Sequence, residues 1–246
     1  MASMIWTSPF RIRAYEVGPD ERASALVVCD LFQEAAGDHA LALGVETFSL
    51  GDGHLGTWVL TRLRVELDRL PAMREAVEVE TWPSGHDGLR AVREYRLLDA
   101  DGDEIARGES TWMVLDVERR RPVRLPEAVT SLTPPDRPRA LAEPGGRLHE
   151  PETVAQSARF TVRRSDLDRV GHANNVRFVE WALEAVAPPG EPLRHPRSLD
   201  VVFRAEANHG DTVVSDAGPG PGGETRHVLT RERDGAVLAL AATTWA

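Results

Sequence analysis

Lysine is missing from this chain: all 29 basic residues are arginine. That excludes phosphate loops built on a lysine and any chemistry that proceeds through a lysine Schiff base. Cysteine occurs once, at Cys29, so no internal disulfide is possible and no thiolate cluster can hold a metal. Cys29 lies in an apolar helical run, where a lone cysteine behaves as a small buried hydrophobe. The eight histidines show neither His-x-His nor HExxH spacing, so no metal site is expected. No apolar run approaches the roughly 20 residues needed to span a bilayer. The N-terminus also lacks the basic-then-apolar pattern of a secretory signal. The expectation is a cytoplasmic protein without a membrane span. A net charge of −10 argues against a general nucleic-acid binder.

What is present is an ordinary globular composition, 41% hydrophobic and 28% charged, over a length sufficient for one large domain or two small ones. The chain is built of two similar halves. At an offset of 150, Phe10-Arg-Ile-Arg-Ala-Tyr-Glu-Val faces Phe160-Thr-Val-Arg-Arg-Ser-Asp-Leu, and Ala23, Glu34 and Ala35 meet Ala173, Glu184 and Ala185 without a gap. Each half opens with an alternating strand, passes a polar turn and enters an apolar helix, about Ala23 to Leu43 and about Ala173 to Val186. Both helices look apolar over most of their surface, as expected of a helix enclosed by other structure. Glu34 and Glu184 would then each hold a buried hydrogen bond.

Strands follow each helix: Thr57–Leu67, Ala76–Trp82, Leu89–Leu98 and Glu104–Val117, then Leu199–Glu206, Asp211–Asp216, Arg226–Arg233 and Val237–Trp245. Their alternation fits antiparallel sheets with one buried face. Ser110-Thr-Trp112 recurs as Thr243-Thr-Trp245 at the end of the last strand of each half. A helix wrapped by an antiparallel sheet, occurring twice, describes an α+β tandem (double) hotdog. Its parts are an N-terminal hotdog over residues 1–130, a linker over 131–157 that is rich in proline, glycine and charge, and a C-terminal hotdog over 158–246. Gly218 to Gly223 is expected to be a mobile loop.

The polar cluster Ser165-Asp-Leu-Asp-Arg-Val-Gly-His-Ala-Asn-Asn175 lies just before the second helix. The first half is its control: opposite Asp168 and His172 stand Gly18 and Arg22, and opposite Asn174 and Asn175 stand Ser24 and Ala25. Asp168 can cap a helix, close an Asx turn or act on a substrate. Asp166 reads as the structural carboxylate of the two. Asn174 suits an N-cap as well as a substrate contact, and Asn175 can brace the turn.

A series of motifs then carries a resemblance. Phe10-Arg-Ile-Arg-Ala-Tyr-Glu-Val-Gly, Leu31-Phe-Gln-Glu-Ala-Ala, Trp58-Val-Leu-Thr-Arg-Leu, Asp68-Arg-Leu-Pro, Val79-Glu-Thr-Trp82, Arg119-Arg-Arg-Pro122, Ser165-Asp-Leu-Asp, His172-Ala-Asn-Asn and Trp181 occur in order. Together they resemble the acyl-acyl carrier protein (acyl-ACP) thioesterases of plastids and bacteria.

The resemblance implies hydrolysis of the thioester between a fatty acyl chain and the phosphopantetheine arm of acyl carrier protein. That arm belongs to the substrate, so no cofactor is expected. The family pattern Asp-x-Asn-x-His, with a glutamate on a following strand, falls on Asp168, Val170 and His172, with Phe203-Arg-Ala-Glu206 supplying Glu206. Val170 is a departure, standing where the family has asparagine. The expected catalytic residues are Asp168, His172 and Glu206, and the expected substrate contacts are Asn174, Asn175, Val170, Trp58, Leu26 and Phe32. Asp168 would assist attack, while His172 and the helix N–H groups near Ala173 to Asn175 would polarise the carbonyl. Expected partners are acyl carrier protein and a fatty acyl chain, with the protein a monomer or homodimer. Alternative activities are an acyl-CoA thioesterase and a non-catalytic acyl-binding hotdog protein.

Overall fold

The structure, a computed structural model, describes residues 3–50, 54–143, 145–187, 190 and 193–245. It forms two compact units, Met1–Pro144 and Gly145–Ala246, whose division falls inside residues 131–157.

The first unit runs β1 (Trp6–Arg11), α1 (Ala25–Ala42), β2 (Thr47–Ser49), β3 (Leu55–Leu67), β4 (Ala76–His86), β5 (Arg90–Leu98), β6 (Glu104–Asp116), β7 (Arg121–Val123) and a single-turn helix α2 (Glu127–Thr130). Its sheet is ordered β1-β4-β5-β6-β3, with β2 added to β3 and β7 to β6. The second unit runs β8 (Gln156–Thr161), α3 (Asn175–Glu184), β9 (Pro196–Phe203), β10 (Thr212–Pro219), β11 (Thr225–Arg231) and β12 (Ala236–Trp245). Its sheet is ordered β8-β10-β11-β12-β9. Reading β1, β4, β5, β6 and β3 as β8, β10, β11, β12 and β9 makes the two topologies the same. All assigned pairings within each sheet are antiparallel.

The two long helices start at side-chain caps: Ser24 accepts from the Val27 N–H, and Asn174 accepts from the Val176 N–H. Along α1, Val28, Leu31, Phe32, Ala35 and His39 recur at helical spacing and are buried. The opposite side carries exposed Asp30, Glu34 and Asp38, so α1 is amphipathic and not enclosed all round. Glu184 on α3 is likewise exposed. The symmetry of Glu34 and Glu184 therefore marks two solvent faces, and the expectation of buried hydrogen bonds is corrected. Helix α3 ends at Glu184, earlier than expected, with Pro188 and Pro189 following in the sequence.

The repeated Ser/Thr-Thr-Trp segments occupy matching places. In the first unit Tyr95 pairs in register with Gly108, its hydroxyl meets Ser110 Oγ at 2.7 Å, and Phe32 stacks on its ring at 4.7 Å. In the second unit His227 pairs with Ala241, and its Nε2 lies 2.9 Å from Thr243 Oγ1.

The connector is anchored more firmly than composition suggests. Arg137 meets Glu80 at 2.5 Å and lies 4.5 Å over the Trp82 ring. Arg139 pairs with Glu94 and Glu109, and the Ala140 N–H donates to Glu94 at 3.0 Å. Leu141 is buried, and Leu148 is buried in a cluster with Val228, Leu240 and Ala242. Glu94 and Glu109 are directly paired across β5 and β6, which explains why two buried carboxylates need a guanidinium between them. The stretch expected to be a loop, Gly218 to Gly223, instead holds the end of β10 and a 3-10 turn at Pro221–Gly223. Among the described residues no helix is long and apolar enough to cross a membrane.

Candidate functional site

The polar cluster forms a tied loop between β8 and α3. Arg163 opens it: its N–H donates to Asp166 Oδ2 at 2.7 Å, and its guanidinium reaches both Asp166 oxygens, at 3.1 and 2.8 Å. Asp166 is 1% exposed. Burial pushes its carboxyl up, but the bonds from Arg163 outweigh this and hold it below the usual carboxylate range.

Asp168 begins a tight turn. Its N–H donates to the His172 carbonyl at 2.8 Å, and the Gly171 N–H returns to the Asp168 carbonyl at 3.1 Å. Gly171 sits at φ 85, a left-handed conformation that suits glycine. Asp168 Oδ1 accepts from the Val170 N–H at 2.9 Å and the His172 N–H at 3.3 Å. Its Oδ2 takes no hydrogen bond among the described residues. One oxygen thus shapes the turn and the other stays available. Val170 is 61% exposed, and what this loop uses of it is its backbone N–H.

His172 Nε2 lies 3.4 Å from Glu206 Oε2, with the two side chains 34% and 33% exposed. Glu206 is not on a strand, as the sequence pattern implied. Strand β9 ends at Phe203, the Arg204 and Ala205 N–H groups both donate to the Leu238 carbonyl at 2.8 and 3.2 Å, and the chain then leaves the sheet. The doubled donation turns Glu206 away from the ladder, which no alternation of residue types announces. A bridge between His172 and Asn208, and an Ala173 N–H to Ala207 carbonyl bond of 2.9 Å, tie this loop to the histidine.

The same bonds narrow the expected set of backbone donors for carbonyl polarisation. The Ala173 N–H is held by Ala207, the Asn174 N–H by the Asp166 carbonyl at 2.8 Å, and the Val176 N–H by the Asn174 side chain at 2.9 Å. The Ala173 and Asn174 N–H groups are therefore engaged within the loop itself, while the His172 imidazole lies beside Glu206. Asn174 is the helix cap, and Asn175 is the half-buried first residue of α3.

Trp58, Leu26 and Phe32 belong to the first unit. Phe32 is fully buried in its core. The Trp58 indole N–H donates to the Val45 carbonyl at 2.7 Å, its ring edge-on to Phe48 at 5.4 Å. Leu26 is half-buried on α1. Cys29 is fully buried, which pushes its thiol up to about 12 and leaves it no nucleophilic role.

The first unit repeats much of the scaffold of the cluster. The Arg13 N–H donates to Glu16 at 2.7 Å where Arg163 meets Asp166. The Gly18 N–H donates to the Arg22 carbonyl at 2.9 Å, and the Ala23 N–H to Pro71 at 2.8 Å. Arg22 bridges Ala72 as His172 bridges Asn208. Glu75 caps the Ala72 N–H at 2.7 Å as Asp211 caps the Asn208 N–H at 2.9 Å. Among the positions that change within this frame, Gly18 stands for Asp168, Arg22 for His172, and Leu70 for Glu206. Sequence reasoning missed Leu70 and Glu206 as a pair, because the offset of 150 holds only as far as the helix; the shared bridges are what align them.

Two consecutive units of this topology define a tandem hotdog of the α+β class. A model of the acyl-ACP thioesterase N-terminal domain matches residues 4–133, and one of the C-terminal domain matches residues 149–246. The chain belongs to the acyl-ACP thioesterase family. It is 31% identical to a chloroplastic palmitoyl-acyl carrier protein thioesterase of Arabidopsis thaliana and 29% identical to one of Cuphea hookeriana, over 98% of its own length in each case. The chain spans 64% of the Arabidopsis protein and 62% of the Cuphea protein. A crystal structure of an acyl-ACP thioesterase from Bacteroides thetaiotaomicron shares the fold, with a TM-score of 0.85 at 24% identity, over 99% of this chain and 98% of that one.

Proposed function

We propose that this chain hydrolyses the thioester of fatty acyl-acyl carrier protein, releasing the free fatty acid, with the chemistry carried by the second unit. The observation that carries the reading is the approach of His172 Nε2 to Glu206 Oε2, 3.4 Å, with Asp168 closing the turn that holds His172, in a frame whose copy in the first unit lacks all three side chains. Names of the relatives and the two family domains support the substrate class.

In this reading Asp168 Oδ2 holds the attacking water and takes its proton as the oxygen bonds to the thioester carbon. His172, oriented by Glu206, donates to the carbonyl oxygen as negative charge gathers there. The tetrahedral intermediate then collapses, the C–S bond breaks, and the departing thiolate takes the proton held by Asp168, which returns Asp168 to a carboxylate and leaves the imidazole as it began. Val170 contributes no side-chain donor, so the histidine carries the polarisation that an asparagine would otherwise share. Arg120, Arg121 and Arg124 are exposed on and around β7, a basic surface suited to an acidic carrier protein.

The test is release of fatty acid from medium- and long-chain acyl carrier protein, with acyl-CoA of the same chains as the comparison and the Glu206→Gln variant as the control. Hydrolysis of the carrier-protein substrate that falls at least about 100-fold in the variant is the expected result. Equal or faster turnover of acyl-CoA assigns the other carrier, and acyl binding without turnover by the unaltered chain refutes the enzymatic reading.

A further inference from the structure

Arg231 is the last residue of β11, and its side chain is 14% exposed. Its Nη1 donates to the main-chain carbonyl of Glu206 at 3.1 Å. The rest of the guanidinium is fixed from behind: Nε lies 3.1 Å from each oxygen of Asp234, and Nη2 lies 2.9 Å from Asp234 Oδ2. Asp211, which caps the Asn208 N–H of the same loop, lies 3.9 Å from Nη1. A planar fork held on one edge by a carboxylate presents its remaining donor in a set direction, which an ammonium does not do.

The first unit shows what this contact replaces. There the carbonyl at the matching place belongs to Leu70, and a guanidinium caps it too, Arg22 Nη1 at 3.0 Å. Arg22, however, occupies the position of His172. In the first unit one residue both lines the turn and grips the neighbouring loop. In the second unit the grip comes from another strand, and the turn position is released to carry an imidazole. Leu70 is buried, whereas Glu206 turns a carboxylate toward that imidazole.

We infer that Arg231 is the positioning residue of the site: by holding the Glu206 carbonyl it sets the peptide from which the Glu206 carboxylate faces His172. The inference rests on the proposed roles of Glu206 and His172. It assigns Arg231 no contact with substrate. Binding of acyl carrier protein should therefore be untouched when Arg231 is changed, and the turnover step should suffer.

The experiment is a double-mutant cycle in the full chain, with Arg231→Met, Glu206→Gln and the pair, each assayed for kcat and KM on acyl carrier protein and for thermal stability. Arg231→Met should lower kcat by about 10- to 100-fold with KM within about twofold, while in the Glu206→Gln background the same change should remove almost nothing further. Arg231→Lys, which keeps the charge and suits a chain that tolerates the methionine poorly, should recover part of kcat. Equal losses in both backgrounds, or a loss that tracks the melting temperature, would assign Arg231 to stability alone and overturn the inference. Full activity of Arg231→Met beside an inactive Glu206→Gln overturns it while leaving the proposed site intact. Full activity of Glu206→Gln overturns both.

Discussion

The proposed mechanism gives Asp168 two jobs on two oxygens, and a pair of substitutions separates them. Asp168→Asn keeps an acceptor at Oδ1 for the Val170 and His172 N–H groups, at 2.9 and 3.3 Å, and places an amide NH2 where the uncommitted oxygen was. Asp168→Ala removes both. A hydrogen bond to a charged acceptor contributes about 1.5–3 kcal/mol and a neutral one about 0.5–1.5 kcal/mol. The site is half-buried and the second bond is long, so the alanine should cost about 1–2 kcal/mol of stability and the asparagine roughly 0.5 kcal/mol. For a chain of this size that is a fall in Tm of about 2–8 °C for alanine and about 1–2 °C for asparagine. Activity should follow a different order. Both variants lose the base, so both should fall by about 100- to 10,000-fold, or about 3–5 kcal/mol of barrier. Fatty-acid release from acyl carrier protein, beside thermal melts of the same preparations, reads both quantities. If Asp168→Asn retains more than roughly a tenth of the activity, Asp168 only shapes the turn and its assignment as base is refuted.

Two further outcomes test the cores. His227 is fully buried with Nε2 on Thr243, and burial draws its pKa down to about 4. The unfolded chain then binds the proton that the folded one refuses, so stability is complete above about pH 6.5 and is lost as pH falls toward about 4, by up to ~3 kcal/mol. His39 is drawn down to about 4 as well, by burial and by the charge of Arg93. Denaturant unfolding between those pH values should flatten in His227→Gln, and an unchanged slope would refute the buried neutral imidazole. Phe32→Ala removes the ring stacked on Tyr95 at 4.7 Å and should destabilise by about 3–5 kcal/mol in the same assay, and a loss under about 1 kcal/mol would refute the core role of the ring.

Most of the fold was legible because duplication doubled the signal. The gapless match from Phe10 to Ala35 fixed the strand-turn-helix order twice, and the two Ser/Thr-Thr-Trp segments marked the last strand of each half. What misled was apolarity counted without direction. Glu34 and Glu184 looked enclosed because their neighbours are apolar, yet on a helix of 3.6 residues per turn they face away from those neighbours. The connector's anchors were illegible for a related reason: Arg139 and Leu141 sit in a stretch whose prolines and charges read as solvent-facing. At the site, Asp168 and His172 stood out by contrast with Gly18 and Arg22. Arg231 gave no signal, since it acts on a carbonyl, and every residue has one.

The two units also separate scaffold from chemistry more sharply than either alone. Where bonds repeat, as in Arg13 with Glu16 and Arg163 with Asp166, an acid and a base persist although the acid changes length, so the contact and not the residue is conserved between halves. Where residues change but the backbone does not, the fold had no need of them: Gly18 closes the same turn as Asp168, and Leu70 starts the same loop as Glu206. A carboxylate, an imidazole and a second carboxylate therefore stand in the second unit on a backbone frame that the first unit forms without them. Half-exposed charged groups add little to folding on their own. Their occurrence in one unit only, with the gripping guanidinium at position 22 in the first and position 231 in the second, is what the proposed reaction would require.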